Sequence, residues 1–497
     1  MRHFLVFLIA LSSSLSVFSQ AETIKRVEFE TENRIRGYIP MGTNGILQDV
    51  VDEAKNKADK KNRIITCTLY STNLVKLGDV DVITPNGYRT EFTASTYRTY
   101  YNMGVSGNTQ FMLHCVDIPS LKVTTLQGKM PRGTFIRSMS ALDDYVIVKG
   151  DVRGNHLFFF KNVKTGEESI SNLKIVSSRD FKILGYQADT VSNEFYVLYR
   201  DKVNNEIITV FQVYAKGSKT QEVIIKNDEG NYMQLASVSK TKDGSYIICG
   251  TVGNFIVKTF TTGIFICKIQ QQKKVFIKYI NYLDITNFTS YLSENKQERI
   301  EKKKDRYEQK GKELEINYLM APHRIIESNN QYVLVGEAYY PTYRQVCHPV
   351  PNAFGGATIQ CENVFDGYQY THYFLCNFDQ QGNLLWSNSK EMHIDYKPHD
   401  VRIFLDVKFT NGTLSTLHGS GFDFHYTVFD SKGNVTKTAT NNMIETQNEA
   451  DNITRSSMNT NYWYNNYFIA FGIQKIKNTD EKDKRKVNYL NKIQVVQ

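Results

Sequence analysis

A two-part unit recurs along this chain, and it constrains the fold more than any other feature. The first part is a turn residue, an aromatic, a short apolar run and usually a glycine. Copies are Asp144-Tyr145-Val-Ile-Val-Lys-Gly150, Ser245-Tyr246-Ile-Ile-Cys-Gly250, Asn330-Gln-Tyr332-Val-Leu-Val-Gly336 and Asn466-Tyr467-Phe-Ile-Ala-Phe-Gly472, with Asn193-Glu-Phe195-Tyr-Val-Leu-Tyr199 lacking the glycine. The second part is a strand that ends near an Asp, Lys or Gly turn. It appears as Leu157-Phe-Phe-Phe-Lys-Asn-Val-Lys-Thr-Gly166 and Tyr426-Thr-Val-Phe-Asp430-Ser-Lys-Gly433, and with other turns as Ile65–Tyr70 and Ile264–Ile269. Asp suits such turns because it bonds its own backbone, and Gly because it accepts a positive φ.

The aromatic anchors Tyr145, Phe195 and Tyr246 are spaced by about 50 residues, and Tyr332, Leu414 and Tyr467 continue the series across insertions. Several short strands per unit at this period predict an all-β chain folded as a β-propeller of seven or eight blades. A blade cannot bury both faces alone, so blades must stack around an axis. The 31 tyrosines and 29 phenylalanines against only 9 prolines suit sheets packed through aromatic side chains. The repeat crosses every candidate boundary, so residues 22–497 are expected to form a single propeller domain.

Residues 1–21 read as a signal peptide: Arg2-His3, then the apolar Phe4–Leu11 with Val17-Phe18, then a small-residue site around Ser19-Gln-Ala21. The serines at 12–14 and 16 leave the apolar run too short to span a bilayer, and no later segment approaches membrane-spanning length. The expected address is periplasmic or secreted. The net charge of +9 is dispersed among 51 acidic residues, which argues against a basic stripe for nucleic acid.

Two segments interrupt the repeat. In 291–318, Glu298/Lys302 and Lys304/Glu308 are opposite-charge pairs four apart, which predicts a charged helix projecting from one face. The segment 339–364 is an aromatic loop rich in Pro and Gly, and Tyr339, Tyr340, Tyr343 and Phe354 are its candidate partner contacts. Of the 7 cysteines, five lie inside apolar strands, whereas Cys347 and Cys361 bracket this loop and are a candidate disulfide. Near the N-terminus, Leu47, Val50, Val51, Ala54 and Ala58 recur at helical spacing, predicting a short amphipathic helix over 47–60. The terminal hairpin, 467–474 and 487–496, is expected to close the ring against the N-terminal segment.

The chain shows no motif for chemistry. His393-Ile-Asp395 and His399-Asp400 lack metal-site spacing; His418-Gly-Ser420-Gly421 lacks the spacing and following helix of a nucleophile elbow. No catalytic residue, cofactor or metal ligand is assigned. Propeller glycosidases need convergent carboxylates, and the strand-forming half-motif is almost free of them. The expected function is therefore non-enzymatic protein binding at the cell envelope, with a glycoside hydrolase or glycan-binding propeller as the alternative.

The stretch Phe365-Asp-Gly-Tyr-Gln-Tyr-Thr-His-Tyr-Phe-Leu-Cys-Asn-Phe-Asp-Gln-Gln-Gly-Asn-Leu-Leu-Trp386 resembles one found in exported propeller-like proteins of Gram-negative bacteria. The Ser-Gln at the cleavage site and the Lys/Asn/Tyr/Ile-rich composition are similar to the group using the type nine secretion system. That group includes a periplasmic plug subunit of the outer-membrane translocon. The resemblance implies a protein partner, such as an outer-membrane export channel that the propeller caps, and carries over no functional residue.

Overall fold

The computed structural model describes residues 21–495 except 31–33, 89, 108, 178, 228–229, 255–259, 352–356, 398–399, 411, 444–445, 447, 449 and 481–483. The signal-peptide reading of 1–21 therefore falls, but for Ala21, outside the described residues, as do Phe354 and His399.

Eight antiparallel sheets follow one another along the chain, over 34–85, 90–129, 135–172, 182–226, 232–281, 319–396, 406–443 and 451–495. Seven run in sequence order from first to fourth strand. In the eighth the outermost strand is Ala21–Glu30, which pairs antiparallel with Lys484–Val495 from Ala21↔Val495 to Glu30↔Val487. First strands of neighbouring sheets touch, as Lys182–Asp189 touches Tyr232–Lys240, and so line the axis. The protein is an eight-bladed propeller whose last blade contains both ends of the described chain.

The recurring half-motifs are the two middle strands of each blade. Tyr145, Phe195, Tyr246, Tyr332, Leu414 and Tyr467 all stand at or near the start of a second strand. Such a strand is buried on both faces, so it reads as a continuous apolar run. Its alternate residues serve different interfaces. Tyr196 and Leu198 pack against Tyr246 and Ile248 of the fifth blade, while Phe195, Val197 and Tyr199 pack back against Phe158 and Phe160 of the third. Ile247 and Cys249 continue the pattern into Leu334 and Cys376 of the sixth. The described residues form eight such apolar clusters, one for each pair of adjacent blades. The ring closes where Trp463, Ile469 and Leu490 of the eighth blade meet Tyr38, Ile46 and Leu74 of the first. There the Trp463 indole N–H donates to the Gly45 carbonyl at 2.9 Å.

The amphipathic helix expected over 47–60 is corrected. Ile46–Val51 is the second strand of blade 1, buried at every position, and only Glu53–Ala58 is helical (α1), with the Asp52 carboxylate accepting from the Lys55 N–H. Burial on both faces erased the strand alternation, so its apolar residues ran into those of the helix. Between blades 5 and 6 the chain forms α2, Glu294–Glu308, with no buried residue. The Lys304 ammonium, 3.2 Å from Asp284, ties it to the turn that follows the last strand of blade 5.

Candidate functional site

In an antiparallel meander, second-to-third-strand turns and blade-to-blade connections emerge on one face. That face carries α1, α2 and the longest hairpin of the molecule. The opposite face carries tight turns, such as those in which the Asp379 and Asp430 carboxylates accept N–H bonds from the residues two and four further on.

The segment 339–364 is not a loop, as the sequence suggested, but the extension of two strands. Gln331–Pro351 and Ala357–Phe378 pair from Tyr332↔Phe378 out to Pro351↔Ala357. The neighbouring strand Leu384–Tyr396 stops at Tyr368↔Tyr396. Beyond it the pair continues as a two-stranded arm of about 30 Å at the usual rise per residue. A register shift at the root leaves Asp366 bulged, and the Lys397 and Arg344 cations flank its carboxylate. Gly367 sits there at φ +130°, and a Cβ would lie 2.2 Å from the Tyr396 carbonyl oxygen. Bulges of this kind redirect a strand pair.

Cys347 and Cys361 face each other across the arm and are bonded. The other five cysteines are free and buried. An isolated two-stranded ribbon is marginal in water, and a bridge closing a loop of this size contributes about 3 kcal/mol. Cys347→Ser/Cys361→Ser is therefore expected to loosen the arm by about that amount while leaving the global unfolding midpoint unchanged. Amide exchange across 342–366 beside a urea melt checks this.

An aromatic ladder climbs one face of the arm. Phe404 meets Tyr370 at 4.9 Å, Tyr370 meets Tyr339 at 5.5 Å, and Tyr339 meets Tyr368 at 5.4 Å. Phe365 follows at 5.1 Å from Tyr368, and Tyr343 at 6.2 Å from Phe365. The ladder starts in the core and ends in solvent, where Tyr343 is 61% exposed and Ile359, nearer the tip, 74%. Of the sequence-assigned contacts, Tyr339 is thus an internal rung, Tyr343 the exposed end, and Tyr340 lies on the other face.

Against that other face, a cleft of about 830 Å³ opens between the arm root and the segment leading into α2. Phe260, Tyr291, Tyr318 and Tyr340 line it. Behind them His372 is fully buried, stacked on Tyr291 at 4.3 Å and edge-on to Phe288 at 4.7 Å. Burial pushes its pKa down to about 3, so the ring is neutral and serves as packing. Among the described residues the one carboxylate lining the cleft is Glu315, whose pKa burial raises above the usual range and which accepts from the Asn254 amide. Nothing in the linear order points to this cleft, because its residues come from six separate segments.

A second polar cluster clamps blades 6 and 7. His323 Nε2 lies 2.6 Å from Glu337 Oε1, and Glu337, wholly buried, also accepts from the backbone N–H groups of Phe404 and Leu405. Nearby, Asp406 accepts from the Tyr462 N–H at 3.0 Å, and its carboxylate is sealed from solvent beside the Thr460 hydroxyl. Burial raises the Asp406 pKa to about 6. Its folded pKa exceeds its unfolded value, so its contribution to stability is fullest below about pH 4 and is lost as pH rises through 6. Asp406→Asn is expected to flatten that dependence and to stabilise the protein at pH 7.5 by on the order of 2 kcal/mol, read from urea midpoints between pH 4.5 and 7.5.

Of the other histidines noted in the sequence, His393 and His418 lie near each other and near His425, where burial first and the neighbouring rings second disfavour the charged forms of His418 and His425. His393 lies 3.4 Å from Glu391 at the surface. His418 is buried in the strand Thr413–Ser420 and stacks on His425 at 4.9 Å, so the His-Gly-Ser-Gly run is strand end rather than elbow. Among the described residues, no three His, Cys, Asp or Glu side chains are grouped to hold a metal, and no helix is long and apolar enough to cross a membrane.

No protein-family model matches the chain, and no curated protein matches it. Among solved structures it is similar to a WD40 domain of SCAP from fission yeast, at 7% identity and TM-score 0.38, covering 95% of this chain and 98% of that one. It is also similar to the β-propeller domain of the Trilobed protease from Pyrococcus furiosus, at 7% identity and TM-score 0.35, over 84% and 99%. A prolyl endopeptidase matches at 8% identity and TM-score 0.37, over 81% of this chain, which spans only 50% of that enzyme's length. Likeness at this level transfers no activity, and the blade count rests on the eight sheets and eight interfaces themselves.

Proposed function

We propose that this chain is a non-enzymatic, exported propeller that holds a protein partner at the cell envelope, with the stapled arm as its contact element. One observation carries the reading: the longest hairpin on the elaborated face is cross-linked and presents to solvent Tyr343, the outer end of an aromatic ladder rooted in the core. Large exposed aromatics on a rigid support are the usual anchors of protein interfaces. In this reading residues 1–21 are a leader, and the propeller works in the periplasm or outside the cell. The finer version, in which the disc caps an outer-membrane export channel, is supported by shape: a rigid ring with one protruding arm can occlude a pore and engage it. Affinity purification from envelope extracts of the intact chain, beside a chain lacking 342–366, tests both versions. A stoichiometric outer-membrane partner retained only by the intact chain is expected; an intact chain that fractionates as a free monomer overturns the reading.

The aromatic cleft favours glycan binding as a second reading, since flat rings stack on sugar faces. Its single carboxylate falls short of the pair that hydrolysis of a glycosidic bond requires. Glycan-array binding abolished by Tyr340→Ala, with no hydrolysis, would establish it.

A further inference from the structure

The arm carries two free-standing strand edges, and they are not equivalent. The Cα atoms of Cys347 and Cys361 are 4.0 Å apart, the close spacing of a non-hydrogen-bonded pair, in which both residues turn their N–H and C=O groups away from each other. Stepping by two along the unshifted register, Gln345↔Asn363, Pro349↔Ile359 and Pro351↔Ala357 share that geometry. Pro349 and Pro351 therefore stand where an N–H would point outward, and they remove donors from the outer edge of their own strand without breaking the pairing within the arm. Pro341, just beyond the last residue paired to Leu319–Pro322, adds a third interruption. Proline at outward positions is a standard device against strand addition.

The other edge has no such guard. Ala357–Phe378 contains no proline, and Ile359, Cys361 and Asn363, all exposed, direct backbone donors and acceptors outward. Among the described residues, no third strand pairs with 357–366. The lane beside that edge is the same lane that Leu384–Tyr396 fills lower down, up to Tyr368↔Tyr396. An added strand would continue an existing sheet. Its alternate side chains would fall on the face that carries Tyr343, the disulfide and Ile359.

We infer that the unguarded edge around Ile359–Asn363 binds an extended segment of a protein partner by strand addition, in line with Leu384–Tyr396. The occupant is a proline-free stretch with apolar residues at alternate positions. This rests on the reading of the arm as the contact element and specifies how contact is made.

The test uses the full, oxidised chain and a phage-displayed library of random dodecapeptides, with the selected sequences resynthesised. Selected peptides are expected to alternate apolar residues and to slow amide exchange at Ile359, Cys361 and Asn363. Asn363→Pro, which removes one outward donor, should weaken them by at least about tenfold, as should N-methylation of every second peptide amide. Asn363→Ala, which keeps the donor, and Gln345→Pro on the opposite edge should each change affinity by less than about twofold. Thiol counts confirm that every variant keeps the Cys347–Cys361 bridge. Peptides that need the arm but tolerate N-methylation or Asn363→Pro would overturn strand addition while leaving the arm as the contact element. Peptides that bind equally to a chain lacking 342–366 would remove the arm from the function altogether. Self-association of the chain that Asn363→Pro abolishes would make a second copy the occupant and overturn the partner assignment.

Discussion

A chain lacking Ala21–Glu30 is expected to lose most of its stability, by an amount on the order of 5 kcal/mol or more, comparable to the whole margin of an ordinary fold. The strand contributes nine ladder pairs to Lys484–Val495, interrupted by one bulge at Ile24, and its loss exposes that strand as a new edge. It also removes Arg26, which is 7% exposed, lies over the Tyr489 ring at 4.9 Å and donates to Gln474 at 2.6 Å. With Arg26 gone, Gln474 and Asn491 in the eighth blade lose a buried partner. Trp463→Ala acts on the same closure from the other side, emptying the junction between blades 8 and 1, and is expected to cost about 3–5 kcal/mol. Urea unfolding followed by tyrosine and tryptophan fluorescence reads both. A truncated chain that keeps its midpoint and stays monomeric would show that the ring does not depend on this strand.

The second large effect is expected at Glu337. Its carboxylate is fully enclosed and holds three donors at once: His323 and the N–H groups of Phe404 and Leu405. Glu337→Ala leaves all three without an acceptor in a site that water does not reach. Breaking a buried pair by removing one member costs about 3–5 kcal/mol. Glu337→Gln keeps the shape and one acceptor oxygen, so it should recover part of that loss. The blades on either side share Val333, Val335, Leu375 and Leu414 in one cluster, so the damage should appear as faster amide exchange in blades 6 and 7 before the rest of the ring. A uniform loss across all eight blades would instead mean that the cluster acts on the whole fold.

Much of this architecture was legible in the chain because the second strands of the blades are buried on both faces. Tyr145, Phe195 and Tyr246 advertise themselves as anchors for that reason. The same property hid the second strand of blade 1, where Leu47, Val50 and Val51 ran on into α1 with helical spacing. The arm was misread for a different cause. Pro341, Pro349 and Pro351 signal a loop to any local rule, and only the pairing register shows that Pro349 and Pro351 occupy outward positions where a strand tolerates them. The cleft and the Glu337 clamp were out of reach. His323 comes from the break between Leu319–Pro322 and Ile326–Ser328, Glu337 from a second strand and Phe404 from a connection, and only the assembled blades bring them together.

The closing strand also sets an order of events. Arg26 and Asn491, which meet in the eighth blade, are 465 residues apart, so Ala21–Glu30 cannot pair before Lys484–Val495 is present. Until the final hairpin has been delivered, every earlier blade can form from neighbours already present, but the first segment has no sheet to join. Ala21–Glu30 therefore stays a ribbon of unpaired backbone until Lys484–Val495 lies beside it. Any factor that accompanies the unfinished molecule has a fixed handle at that ribbon, and release of the handle coincides with completion of the ring.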